Sequence, residues 1–217
     1  MADIPSSPFA LSGVQSQKLR IYCANETWAS SDLDSYARLL HDGNLDTVRK
    51  DFVFGQGGPV ASRQRLANLQ YGPTKIPIFN LLLQFTVLFP QKRAQYIQVI
   101  EFLAKAKVPV DSTDLSGTTA LSHSISTKPY FDTEIADILI TAGGDINHQN
   151  RYGCLAGHEI VMARDYSEDG KKKTVDAMKY YVEHGGKVDI PDNDGVTVTR
   201  IGNTIKLVIP GLALYFP

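Results

Sequence analysis

Cysteine is scarce. The chain has two, Cys23 and Cys154, in 217 residues. Two thiols so far apart make no disulfide framework, which excludes a small bridged secreted scaffold and favours a reducing, intracellular setting, cytoplasmic or nuclear. Charge of one sign is also lacking, with 22 Lys and Arg against 23 Asp and Glu. That leaves no electrostatic case for nucleic acid or an anionic membrane surface. Long apolar runs are absent. NLLLQFTVLFP (80–90) and LVIPGLALYFP (207–217) reach 11 residues each, about half of the roughly 20 that a spanning helix needs, and read as buried core. The opening MADIPSSPFALSG has neither the charged nor the apolar region of a signal peptide. It reads as a polar N-terminal arm over 1–15, so the sequon Asn25-Glu26-Thr27 carries little weight.

Catalytic sets are missing as well. FGQGGP (54–59) is glycine-rich, but no Gly-Lys-Ser/Thr follows, so it reads as a helix stop and turn rather than a phosphate cradle. Cys154 and His158 stand at i, i+4 and could face the same way on a helix. Two ligands are not a tetrahedral zinc site, and a Cys nucleophile needs a His base. A thiol- or metal-dependent enzyme built on that pair is therefore the minor alternative. Lys171-Lys172-Lys173 closes the polar stretch DYSEDGKKK (165–173), where Glu168 and Asp169 argue against a pure anion site. Asp32, Asp34, Asp42 and Asp46 suit helix starts, and Trp28 with Tyr36 suits an end cap.

What the sequence has is a recurring layout. DILITAGGDINHQN (137–150) and KYYVEHGGKVDIPD (179–192) share one plan, and each first glycine, Gly143 or Gly185, is followed 10 residues later by another, Gly153 or Gly195. Ten residues before Gly117 stands Lys107, so AKVPVD (106–111) joins the set. The spacing is 36 residues from Gly117 to Gly153 and 42 from Gly153 to Gly195. Upstream, Val99, Ile135 and Ala177 share a position, then Phe102, Ile138 and Tyr180, then Leu103, Leu139 and Tyr181. Offsets of 0, +3 and +4 mark one helix face. That face is too short to form a core alone and must pack on a neighbouring unit. The glycines suit helix ends in left-handed geometry, and the short fragments after them suit turns.

Helix, glycine stop, turn and helix, opened by D-x-x-G-x-T, resembles the ankyrin repeat. Asp114, Gly117, Thr119 and Leu121 fall on the family's motif. Its T-P-L-H reads Thr119-Ala120-Leu121-Ser122, without Pro and His. Asn150, Gly153 and His158 match in the next unit, where Leu155 replaces Thr, and Asp192, Gly195 and Thr197 open a last one. Against a usual period of about 33, the excess is assigned to TKPYFD (127–132) and to DYSEDGKKK. LDSYARLLHDGNLDTVRKDF (33–52) reads as a first helix pair, followed by a connection over 59–72 and helices near 76–87 and 92–106.

The resemblance implies an all-α solenoid of four to five units over 16–204. Residues 205–217 form an apolar tail that either folds back as a cap or marks where a larger protein continues. It further implies a non-enzymatic scaffold or adaptor, monomeric, without cofactor or metal, that grips a protein partner on its concave face; the alternative is the recognition arm of a larger multidomain protein. By the resemblance His158 bonds across neighbouring loops, and the outward-facing partner-binding positions are Leu115, Ser116, Thr118, Thr127, Arg151, Tyr152, Cys154, Asn193 and Asp194, with Arg151 and Tyr152 foremost as anchor types.

Overall fold

The computed structural model describes residues 35–55, 57–72, 74–126, 131–162 and 165–216. Thr127, Trp28, Cys23 and the arm lie outside them. The described residues form ten α-helices: α1 (Ser35–Asp42), α2 (Leu45–Phe54), α3 (Gly58–Ala67), α4 (Ile78–Leu88), α5 (Arg93–Lys105), α6 (Ala120–Ile125), α7 (Thr133–Thr141), α8 (Ala156–Val161), α9 (Glu168–Glu183) and α10 (Val198–Ile205). A 3₁₀ turn, Pro210–Leu214, follows. Five antiparallel units result: α1/α2, α4/α5, α6/α7, α8/α9, and α10 with the 3₁₀ turn. Helices α1, α4, α6, α8 and α10 touch in that order as an inner layer, while α2, α5 and α7 touch in order as the outer layer that α9 and the 3₁₀ turn continue.

The sequence explains each layer. Helix α4, IFNLLLQFTVL, is apolar nearly all round and has neighbours on almost every side, so Ile78, Leu81, Leu82, Leu83 and Phe85 are all sealed. The outer helices carry one apolar stripe. Val99, Ile135 and Ala177 are buried, as are Leu103, Leu139 and Tyr181, while Phe102, Ile138 and Tyr180 between them stay half-buried against the core. The helix ends repeat one hydrogen-bond pattern. Val108, Gly144 and Gly186 each donate from the backbone to the carbonyl five residues back, at Leu103, Leu139 and Tyr181. The residues before them, Lys107, Gly143 and Gly185, have φ of +64°, +98° and +86°. This is a left-handed stop used three times. Two of the three are glycine; the third is a lysine.

Two sequence readings change, and the tail takes one of the two forms expected of it. The connection over 59–72 holds α3, which rests on the first unit: Arg65 pairs with Asp51 of α2 at 2.7 Å and lies over the Tyr36 ring of α1. The polar stretch 165–173 is not a loop along its length. Ser167 caps Gly170 and starts α9 there, so the three lysines lie on the first turns of a 16-residue helix. The apolar tail folds back. Ile209, Leu212 and Phe216 are buried, Lys206 Nζ donates to the Phe216 carbonyl at 2.9 Å, and the Phe216 ring occupies the space a side chain on Gly202 would need.

Candidate partner-binding face

The loops that lead into the inner helices project as fingers, each built on one polar side chain. Asp114 Oδ1 accepts from the N–H groups of Ser116 at 2.9 Å and Thr118 at 3.0 Å. Asn150 Oδ1 accepts from Tyr152 at 2.9 Å and Cys154 at 3.0 Å. Asp192 Oδ1 accepts from Asp194 and Val196, both at 2.9 Å. A left-handed residue completes each turn: Gly117, Gly153 and Gly195, with φ of +79°, +73° and +75°. Lys75, with φ of +52°, takes the same place in the finger before α4.

The fingers are laced together through the main chain. Leu115 N–H donates to Thr74 O at 2.6 Å, Arg151 N–H to Ser116 O at 2.9 Å, and Asn193 N–H to Tyr152 O at 3.0 Å. A buried side chain adds a second tie. His158 Nδ1 accepts from Leu155 N–H at 3.0 Å, which fixes the proton on Nε2, and Nε2 donates to Val196 O of the next unit at 3.0 Å. Asn80 does the same two units earlier, its Nδ2 donating to Thr118 O at 3.1 Å. Asn80 occupies the histidine position of its unit. With an amide in place of an imidazole there, the sequence carries no histidine signal at this position.

Exposure divides the expected contact positions. Tyr152 is 42% exposed, Asn193 and Asp194 are exposed, and Arg151 is half-buried. Leu115, at 3%, and Ser116, Thr118 and Cys154 are buried rather than exposed. Ser116 and Thr118 are small, and their hydroxyls turn inward, bonding each other at 2.7 Å, with Ser116 also on Asp114 at 2.5 Å. Cys154 is buried, and its backbone N–H is bonded within its own turn. Burial first, then the charges of Glu159, Asp192 and Asp194, push its thiol up to about 12.

The two histidines nearest a thiol or a hydroxyl, His158 and His123, are held by structural hydrogen bonds. Both ring nitrogens of His158 are committed to the backbone, so no lone pair remains for a metal or for the Cys154 thiol. His123 Nε2 and Ser116 Oγ bond opposite oxygens of Asp114, at 2.9 and 2.5 Å. The carboxylate therefore sits between imidazole and hydroxyl, and His123 does not act on Ser116. Burial alone would raise the Asp114 carboxyl, but its bonds to His123, Ser116 and the Thr118 N–H outweigh this and hold it below the usual range. Among the described residues no three His, Cys, Asp or Glu side chains are grouped to hold a metal ion. A groove of about 330 Å³ lies between α5 and α7 on the outer side, lined by Ala104, Ile138 and Ala142 and by Glu101, Lys105, Lys107 and Asp137, of which Glu101 and Lys105 pair with each other at 3.0 Å.

Paired helices in two layers and fingers tied by backbone repeat along the chain, and a helix-start side chain, Asn80 in one unit and His158 in another, reaches into the next unit. The fold is that of an ankyrin-repeat solenoid. The crystal structure of EF0377, an ankyrin repeat protein, superposes with a TM-score of 0.57 at 16% identity, covering 94% of this chain and 96% of that one. No family model matches the sequence, and no curated protein matches it. The ankyrin units explain this. Their period alternates between 42 and 36 residues, α3 is inserted after the first unit, and Thr-Pro-Leu-His appears complete in none of them. The geometry of the ankyrin turn survives because Asp, Asn and a left-handed residue suffice to build it. No helix among the described residues is long and apolar enough to cross a membrane.

Proposed function

We propose that the chain is a non-enzymatic protein-recognition module, monomeric and intracellular, that binds a partner protein on the concave face formed by fingers and inner helices. One observation carries the reading. The fingers of the fourth and fifth units hold Tyr152, Asn193 and Asp194 out into solvent on turns closed by backbone hydrogen bonds and by the Asn150 and Asp192 side chains. Side chains on a rigid frame lose little conformational freedom on binding, and Tyr and Arg are common interface anchors. Arg151, Tyr152, Asn193 and Asp194 are therefore the contact set, to which we add exposed Met162 at the end of α8. Scaffold or adaptor action follows from a face with no chemistry of its own. Affinity purification from the native source, repeated with the Tyr152→Ala/Asn193→Ala double variant, tests this. A partner held by the natural chain should be lost by the variant and kept by an outer-face control, Val182→Ala. Equal recovery by all three would move the site elsewhere.

A further inference from the structure

One residue in each outer helix, five positions before the left-handed stop, sits at the seam with the preceding outer helix. It is Phe102 in α5, Ile138 in α7 and Tyr180 in α9. Two of these seams are filled by the chain's own rings. Phe102 meets Phe52 of α2 edge-on at 5.5 Å, with the Arg49 guanidinium over its face. Tyr180 meets Phe131, just before α7, edge-on at 6.4 Å, stacks on His184 at 4.0 Å, and donates its hydroxyl to Asp137 of α7 at 2.5 Å. Among the described residues no ring lines the seam between α5 and α7. The registers that hold Ile140, Tyr180 and His184 one unit later hold the smaller Ala104, Ile138 and Ala142 here, and these three line the groove of about 330 Å³. The carboxylate is nevertheless in place, for Glu101 stands where Asp137 stands one unit later. Its Oε2 accepts from Lys105 Nζ at 3.0 Å, and its Oε1 has no donor among the described residues. The seam thus repeats the socket and the acceptor of its neighbour without the phenol that fills them.

We propose that this groove is a second docking site, which takes a tyrosine side chain from an acidic segment of a partner protein. The ring lies over Ala104, Ile138 and Ala142, as Tyr180 lies in the next seam, and the hydroxyl donates to Glu101. Charge narrows the occupant further. Glu101 and Asp137 stand about one helical turn inside the groove, while Lys105 and Lys107 stand at the end of α5 and in the stop that follows it. The two carboxylates accept a phenol hydroxyl and repel a phosphate in its place, and the two lysines face the acidic residues beside the tyrosine. Size agrees. Sites for whole small molecules run to about 300–1,000 Å³, so this groove has room for one aromatic side chain and its immediate neighbours. Tyrosine is also among the side chains most used as interface anchors. The site lies in the outer layer, away from the fingers, so it stands or falls independently of the concave face and both can be filled at once.

NMR amide spectra of the isotope-labelled full chain, titrated with the blocked tripeptide acetyl-Glu-Tyr-Glu-amide, test this. Saturable shifts confined to the amides around Ala104, Lys105, Ile138 and Ala142 are expected. The same peptide with phenylalanine or phosphotyrosine at its centre should bind several-fold more weakly. Ile138→Tyr supplies the missing phenol from within the chain and should abolish the shifts while the rest of the spectrum stays that of the folded protein. Glu101→Ala, at a half-buried surface position, keeps the apolar slot and should bring the tyrosine and phenylalanine peptides to equal affinity. No shifts, shifts on the fingers instead, equal binding of tyrosine and phenylalanine by the natural chain, or a preference for phosphotyrosine would each overturn the proposal. So would groove shifts that grow with protein concentration before any peptide is added, since these would assign the groove to a second copy of the chain.

Discussion

Lys107 offers a test of the helix-stop reading in which backbone geometry is nearly the only variable. It holds φ of +64° at a position where the two following units have glycine at +98° and +86°. An L-residue in that region costs about 1–2 kcal/mol, and glycine repays part of the relief by losing about 0.5–1 kcal/mol more chain entropy on folding. Lys107→Gly should therefore stabilise the protein by about 0.5–1 kcal/mol. The mirror change is clean, because a Cβ on Gly143 would meet nothing within 4 Å. Gly143→Lys should cost about the same amount through the backbone alone, and the double exchange should come out near neutral. Urea denaturation followed by circular dichroism reads the change in midpoint, and for a chain of this size 1 kcal/mol moves the melting temperature by roughly 2–4 °C. A destabilised Lys107→Gly, or a Gly143→Lys that costs nothing, would refute the argument that left-handed geometry is what these positions require.

Four further outcomes are expected. His158→Ala strands Leu155 N–H and Val196 O in a buried site and should cost about 2–4 kcal/mol in denaturant; the same change at exposed His184 should be near neutral. Asp114→Asn keeps an oxygen for the turn, as Asn150 does naturally, but loses the carboxylate that bonds His123 Nε2 at 2.9 Å, for about 1–2 kcal/mol at pH 7. Because the folded Asp114 carboxyl is held below its unfolded value, that contribution is complete above about pH 4–5 and lost as pH falls through the folded pKa, so variant and natural chain should converge in acid titrations of stability. Phe216→Ala empties the space over Gly202 and should cost about 3 kcal/mol, read by denaturation and by new protease cleavage after Lys206. Cys154, with its thiol pushed up to about 12, should resist maleimide at neutral pH until denaturant opens the fourth unit; native labelling at Cys154 would show the finger to be loose.

Much of the fold was legible because period and punctuation carry it. The offsets linking Val99, Ile135 and Ala177 are a geometric statement about one helix face, and that face is the buried one. Three things were not legible. The polar residues 165–173 look like loop by composition, yet Ser167 is a helix cap and the charged residues after it are good helix formers. Helix α3 carries no clear stripe, since it buries only Ser62 and Leu66 and is held in part by Arg65. At the binding face a motif gives the position of a residue and not its surroundings. Ser116 and Tyr152 occupy one register and differ because a small hydroxyl bonds back into its own turn while a phenol cannot.

The rungs between fingers run from amide to carbonyl, Leu115 to Thr74, Arg151 to Ser116, Asn193 to Tyr152. Amides and carbonyls are common to nearly every amino acid. The surface chemistry at the tips can therefore be rewritten one residue at a time while the mechanical joint between neighbours stays intact. Such a scaffold lets new specificity arise without a matching repair elsewhere, and it explains how a shape can persist after the text that encodes it has become hard to recognise.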